Sequence, residues 1–160
     1  MKAYQLTFTQ SIPVPIPEAW DFFSSPLNLV KITPPNMAFN VTSDYDQGTK
    51  MYPGMIITYK VAPLFGIQLN WMTEITHVIN ERYFVDEQRF GPFRFWHHQH
   101  HFRSIPGGTE MKDLLTYGLP LGMLGSVANS ALVRQRLREI FDYRKRKIVE
   151  LFGDYLPGVT

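Results

Sequence analysis

The stretch from about Gly122 to Phe152 constrains the fold more than any other. Leu124, Val127, Ala128, Ala131, Leu137, Ile140, Phe141, Ile148, Leu151 and Phe152 recur at three- and four-residue intervals, which stacks them on one helical face. Arg134, Arg138, Glu139, Asp142, Lys145 and Arg146 fall on the opposite face, Gly153 supplies a stop, and Pro157 prevents resumption. A helix of roughly thirty residues is about 45 Å long. An apolar ridge of that length needs a broad apolar partner surface, and the chain upstream has to provide it.

Upstream, the periodicity changes to two. Tyr4, Leu6 and Phe8 alternate with Gln5, Thr7 and Thr9, the pattern of a strand with one buried face. Pro13, Pro15 and Pro17 stop it. Pro17 and Glu18 open a short helix carrying Trp20 and Phe23 on one side, and Ser25 and Pro26 open a second through Leu29 and Val30, closed by Pro34 and Pro35. From Ala38 onward the spacing predicts about six consecutive strands. Phe39, Val41 and Ser43 alternate; Met55, Ile57, Tyr59 and Val61 share a face, as do Leu69, Trp71, Thr73 and Ile75. Gly91 with Pro92, and Pro106 with Gly107 and Gly108, turn the chain between the later strands. Short connections imply an antiparallel sheet, and the lone long helix must cover one of its faces.

Composition narrows the function classes. Twelve Phe, eight Tyr and three Trp suggest a thick core or a lined cavity. A formal charge of +2 is too small for a dedicated nucleic-acid binder. Most of the excess lies on the last helix, where Arg134, Arg136, Arg138, Arg144, Lys145, Arg146 and Lys147 read as a solvated face or as a polyanion site. The absence of cysteine excludes disulfides and thiol chemistry. Met1 to Gln10 lacks the basic and apolar regions of a signal peptide, and no run of about 20 apolar residues could span a bilayer. The expectation is one domain over residues 1–160, cytoplasmic, without integral membrane association, as a monomer or weak homodimer.

The element order and three local phrases resemble the helix-grip fold of the START-related, polyketide-cyclase and pollen-allergen-like (SRPBCC) superfamily. The phrases are PEAWDFFSSPLNLVKITPP at 17–35, FGPFRFWHHQHHF at 90–102 and GTEMKDLLTYGLPLGMLG at 108–125. They are most similar to bacterial ligand-binding SRPBCC domain proteins, and the resemblance covers essentially the whole chain. It implies an α+β helix-grip fold: a curved antiparallel sheet of about seven strands wrapped round the C-terminal helix, with two short helices after the first strand. It leaves the chemistry open, because that fold hosts lipid carriers, aromatic cyclases, dehydratases, quinone-binding proteins and co-chaperone modules.

Alternation and charge select the inward faces. Glu87 and Arg89 belong in water, so Phe84, Asp86, Gln88 and Phe90 are predicted to point inward. Glu110 and Lys112 put Met111, Asp113, Leu115 and Tyr117 inside, while Gln99 and Arg103 put Trp96, His98, His100 and Phe102 inside. An apolar concavity then holds a compact polar set of Asp86, Gln88, His98, His100, Asp113 and Tyr117, with Asp113 placed to pair with either histidine. Unpaired buried polar groups cost roughly 1 to 3 kcal/mol each, so these must satisfy one another, bind water or meet a ligand.

The expected ligand-binding residues are Trp71, Phe84, Asp86, Gln88, Trp96, His98, His100, Phe102, Asp113 and Tyr117 from the sheet, with Leu124, Ala128 and Leu132 from the helix. The first functional reading is binding or transport of a small hydrophobic molecule such as a lipid, a polyketide-like aromatic or an isoprenoid. The second is a cyclase or dehydratase in which His98, His100 or Asp113 moves a proton and Tyr117 polarises a carbonyl. A third is a protein-interaction module using the basic helix face or the turn at 62–66. No cofactor is expected. Metal binding finds only two ligands, His98 and His100, on one strand face, and no metal site is assigned. Useful small-molecule pockets run to ~300 Å³ or more, which sets the size to look for.

Overall fold

A computed structural model describes residues 2–62, 66–120 and 127–157, with helix side chains from Ser130 onward. Seven strands form one antiparallel sheet: β1 (Ala3–Ile12), β2 (Asn40–Val41), β3 (Met55–Val61), β4 (Leu69–Ile79), β5 (Tyr83–Phe90), β6 (Phe95–Ile105) and β7 (Gly108–Gly118). Their order is β1-β7-β6-β5-β4-β3-β2. β2 to β7 are therefore a meander, and β1 closes on its last strand through ten pairs from Ala3↔Gly118 to Ile12↔Thr109. The helix-grip reading holds in strand number, pairing and element order.

Between β1 and β2 lie α1 (Ile16–Phe23) and two 3-10 segments, Pro26–Ile32 and Pro35–Met37. Pro17 in the first turn of α1 has a preset φ and no N–H to leave unpaired. Trp20 and Phe23 face inward and meet Phe102 and Phe84 of the sheet. This corner plugs one end of the concave surface.

The long helix α2 runs over Val127–Phe152, and the predicted start at Gly122 with Leu124 lies outside the described residues. Its buried face is Val133, Leu137, Phe141 and Ile148, with Ile140 half-buried. Phe141 stacks on Phe8 of β1 with ring centroids 3.9 Å apart, and Val133 and Leu137 pack against Leu6, Leu115 and Tyr117. Ala131, Leu132 and Leu151 are exposed, contrary to the sequence reading, because the buried arc is centred on Leu137 and Phe141 and leaves its flanks in water. No described helix is long and apolar enough to cross a membrane.

A second correction concerns Phe90, which is exposed. Thr73 pairs with Gln88 but Met72 pairs with Phe90, so Arg89 is an extra residue in β5. A bulge advances the alternation by one, which turns Phe90 to the outer face.

Gly108 starts β7 where the chain crosses β1 closely. A Cβ there would lie 2.1 Å from the Ile12 carbonyl oxygen, whereas at Gly48 it would meet nothing within 4 Å. Gly108→Ala is expected to destabilise the fold by about 1–3 kcal/mol through forced backbone displacement, and Gly48→Ala by under ~0.5 kcal/mol. Urea unfolding of both variants checks this; equal midpoints would refute the close approach.

Candidate functional site

The three central strands place four titratable side chains in a ring. On β6, His98 and His100 share the concave face; Asp86 on β5 lies opposite His98, and Asp113 on β7 lies opposite His100. Each carboxylate is thus the direct cross-strand neighbour of one histidine and the diagonal neighbour of the other. Asp86 Oδ2 is 2.9 Å from His100 Nε2 and 3.2 Å from His98 Nδ1. Asp113 Oδ1 is 3.1 Å from His98 Nε2 and 2.7 Å from His100 Nδ1. The last approach is close but oblique, so it is an ionic contact and leaves His100 Nδ1 without a hydrogen bond.

The surroundings lock this geometry. Trp96 Nε1 donates to Asp86 Oδ1 at 3.0 Å. The His100 ring stacks on Phe84 at 4.2 Å, and His98 meets the edge of Phe141 on α2. Burial alone would lower the His98 pKa from its ordinary value of 6.5, but the charges of Asp86 and Asp113 and their hydrogen bonds push it up to about 9. Burial alone would also raise both carboxyls. The imidazoles outweigh it and hold Asp86 and Asp113 well below the usual carboxylate range. Asp86, His98 and His100 could together hold a metal ion, since one ligand atom from each lies within 4.8 Å of the others. Asp86 is the third ligand that the His-x-His pattern alone did not supply.

This ring forms the floor of a cavity of about 180 Å³ between sheet and helix. Asp86, His98 and His100 line it, whereas Asp113 lies behind the imidazoles and reaches it only through them. Trp71, Phe84, Phe93 and Trp96 with Ile57, Val61 and Ile75 make the sheet wall, and Val133, Leu137, Ile140 and Phe141 make the helix wall. Tyr59 and Thr73 bond their hydroxyls to each other at one side. Trp71 Nε1 and Ser25 Oγ are buried with no hydrogen-bond partner among the described residues.

Six predicted sheet residues therefore reach the cavity: Trp71, Phe84, Asp86, Trp96, His98 and His100. The others have different work. Gln88 spans the turn at Gly91 and Pro92, its Nε2 donating to the Phe93 carbonyl at 2.5 Å and its Oε1 accepting from the Phe93 N–H at 3.2 Å. Phe102 packs against Trp20 and Phe23 in the core. Tyr117 is buried between Tyr4 and Phe93, away from the cavity lining. Leu132 points outward, and Leu124 and the Ala128 side chain lie outside the described residues. The remaining histidines of the HHQHH run, His97 and His101, face outward in a chain through Gln99 to Glu87.

Sequence reasoning missed Arg136 and Arg144, which line the cavity from α2. Their spacing from Ile140, four residues either way, was the available signal. The Arg144 guanidinium lies 4.9 Å over the Phe141 ring.

Removing one carboxylate leaves buried imidazole charge without its partner. Asp113→Ala is expected to cost roughly 3–5 kcal/mol in urea unfolding, and a loss below ~1 kcal/mol would show that the ring carries little charge. In chelator-containing buffer the pH dependence has a fixed sign. Protonated His98 is favoured in the folded chain, so its contribution is complete below about pH 6.5 and lost as pH rises toward about 9. Asp86 and Asp113 act oppositely, stabilising above their ordinary value of 3.8 and losing that contribution in stronger acid. Stability is expected to fall by roughly 3 kcal/mol between pH 6.5 and 9, and His98→Ala to remove that slope.

Comparison with known proteins agrees with this architecture. The family model described as "Polyketide cyclase / dehydrase and lipid transport" matches residues 12–141. Among solved structures, protein Ms6760 from Mycobacterium smegmatis is 22% identical with a TM-score of 0.66, over 94% of this chain and 96% of that one. Ara h 8.0201 aligns with a TM-score of 0.58 at 15% identity, over 93% of this chain and 99% of that one. The di-domain ARO/CYC BexL from the BE-7585A biosynthetic pathway aligns with a TM-score of 0.66 at 18% identity, over 99% of this chain and 51% of that one. These identities speak to the fold alone. No match is found among curated protein sequences. With the family model spanning most of the chain, the protein belongs to the polyketide cyclase/dehydrase and lipid transport family of the SRPBCC superfamily.

Proposed function

We propose that this protein is a cytoplasmic binding protein for a compact, mostly apolar molecule with a ring system and at least one oxygen function. One observation carries the reading: an apolar cavity between sheet and helix with all of its charged sheet groups gathered on one floor. Apolar walls supply affinity without direction, and the floor selects orientation by hydrogen bonding. The cavity volume of about 180 Å³ is below the ~300 Å³ common for drug-sized ligands and comparable to the ~150 Å³ site that accepts benzene. That size favours a polyketide-like aromatic or a short isoprenoid over an extended acyl chain. Trp71 Nε1 adds a directed donor inside the wall.

Cyclase or dehydratase chemistry is the second reading, favoured by the placement of Asp86, His98 and His100 on the cavity surface. In it an imidazole of the floor transfers a proton to or from the ligand. Asp113, behind the imidazoles, is then a positioning residue.

Native mass spectrometry of freshly purified protein, with displacement of a hydrophobic naphthalene dye by aromatic polyketide analogues, tests binding. Ile140→Trp fills the space between helix and sheet and is expected to weaken dye binding tenfold or more, about 1.4 kcal/mol, without lowering the unfolding midpoint. No uptake by the wild type, or uptake that Ile140→Trp leaves unchanged, would remove the cavity as the site. His98→Ala separates the readings: a binding protein loses affinity, whereas an enzyme loses turnover with affinity within a few fold.

A further inference from the structure

We propose that Asp86, His98 and His100 form a mononuclear site for a divalent first-row transition ion of the zinc or iron(II) class, with Asp113 as its positioning carboxylate and the cavity as its open coordination side. The inference is independent of which organic ligand the cavity takes.

Geometry is the first argument. The separations of 2.9 and 3.2 Å from Asp86 Oδ2 to His100 Nε2 and His98 Nδ1 correspond to angles of about 90–100° at an ion with bonds of ~2.1 Å. One oxygen and two nitrogens arranged this way make a three-ligand corner, the donor set of two-histidine, one-carboxylate centres. All three donors line the cavity, so any further ligand must come from that side.

Orientation is the second. A metal-binding histidine ordinarily gives its other nitrogen to a carboxylate or carbonyl. Here Asp113 Oδ1 is hydrogen-bonded to the rear nitrogen of His98, Nε2, while the His100 ring is held by its stack on Phe84, and the opposite nitrogen of each ring faces the same Asp86 oxygen. Trp96 Nε1 takes the other Asp86 oxygen and leaves Oδ2 aimed at the imidazoles. The Asp86 and His98 donors are therefore aimed by hydrogen bonds, and the His100 donor by ring stacking, from groups that would not themselves bind the ion.

Charge is the third. Asp86 and Asp113 flank the histidine pair, and one divalent ion would place two positive charges at a single point within reach of both. The donor set also selects the ion: with two nitrogens and one oxygen it suits zinc or iron(II), not magnesium or calcium, which take six or more oxygens. Such an ion at the floor would polarise a ligand carbonyl from the cavity.

The experiment titrates the full chain, stripped with chelator, with zinc chloride by calorimetry and with cobalt chloride by visible spectroscopy. The expected result is one ion per chain at micromolar affinity or better, insensitive to excess magnesium, with ligand-field bands of a nitrogen- and oxygen-bound cobalt. Asp86→Asn and His100→Ala should abolish binding. Asp113→Asn should weaken it about 10- to 100-fold with the cobalt bands shifted. His97→Ala, on the outer face beside Glu87, should leave it unchanged. Absence of cobalt bands from the wild type overturns the proposal even if a floor variant fails to fold. Binding that survives Asp86→Asn but disappears in His97→Ala overturns it too, by moving the ion to the outer face.

Discussion

The cavity depends on where α2 is fastened. Phe141 lies flat on Phe8 of β1, and Val133 and Leu137 sink between Leu6, Leu115 and Tyr117 of β1 and β7. Farther along the helix, Ile148 joins Ile12, Trp20 and Phe23 at the α1 corner. These two attachments hold the helix against one side of a twisted sheet. Over β3 and β4 the wall residues are Tyr59, Trp71 and Ile75, and among the described helix residues Ile140 packs toward them. A straight rod on a curved surface cannot touch it everywhere, and the aromatic side chains on the far half are rigid enough to keep the gap from collapsing.

The floor is the costly part of this design. Three buried titratable groups and the half-buried Asp86 could be exchanged for apolar residues of similar volume with neutral or favourable effect on stability, whereas removing one partner alone would strand a charge. Folding therefore does not explain their presence. Two neighbouring positions show the contrast: Thr73 and Tyr59 are polar groups on the same inner surface, and they satisfy each other with one neutral hydrogen bond. The ring instead concentrates charge, shares single oxygens between two imidazoles, and turns three of its four members toward open space. That asymmetry, with Asp113 at the back, puts the hydrogen-bonding capacity of the ring on its cavity side.

Much of this was legible in the sequence because a strand has a period of two. Charge on Glu87, Glu110, Lys112 and Arg103 identified the wet faces, and from those the inward positions of Asp86, His98, His100 and Asp113 followed. Alternation failed where the backbone broke it: the bulge at Arg89 threw Phe90 outward, and the tight turn at Gly91 drew Gln88 into capping its loop. The helix was less readable, since 3.6 residues per turn leaves a flanking position ambiguous. Leu132 carries an apolar side chain at the edge of the buried arc and stays in water, while Val133 beside it is buried. Arg136 and Arg144 read with the other basic residues as a solvated face or a polyanion site, although they share the side of Ile140. Which carboxylate faces the cavity is a matter of register across three strands, and no single strand contains it.

The two polar ends of the cavity are unequal, and this bears on how a ligand lies in it. The floor sits on the three central strands, where Asp86 pairs across the ladder with His98 and His100 with Asp113, and neighbouring rings pack on the imidazoles, so its donors and acceptors are fixed in direction. Arg136 and Arg144 reach the cavity from one helix, Arg136 paired with Glu139 at 3.2 Å and Arg144 lying over the Phe141 ring. In the binding reading proposed above, a ligand oxygen would meet the floor of Asp86, His98 and His100.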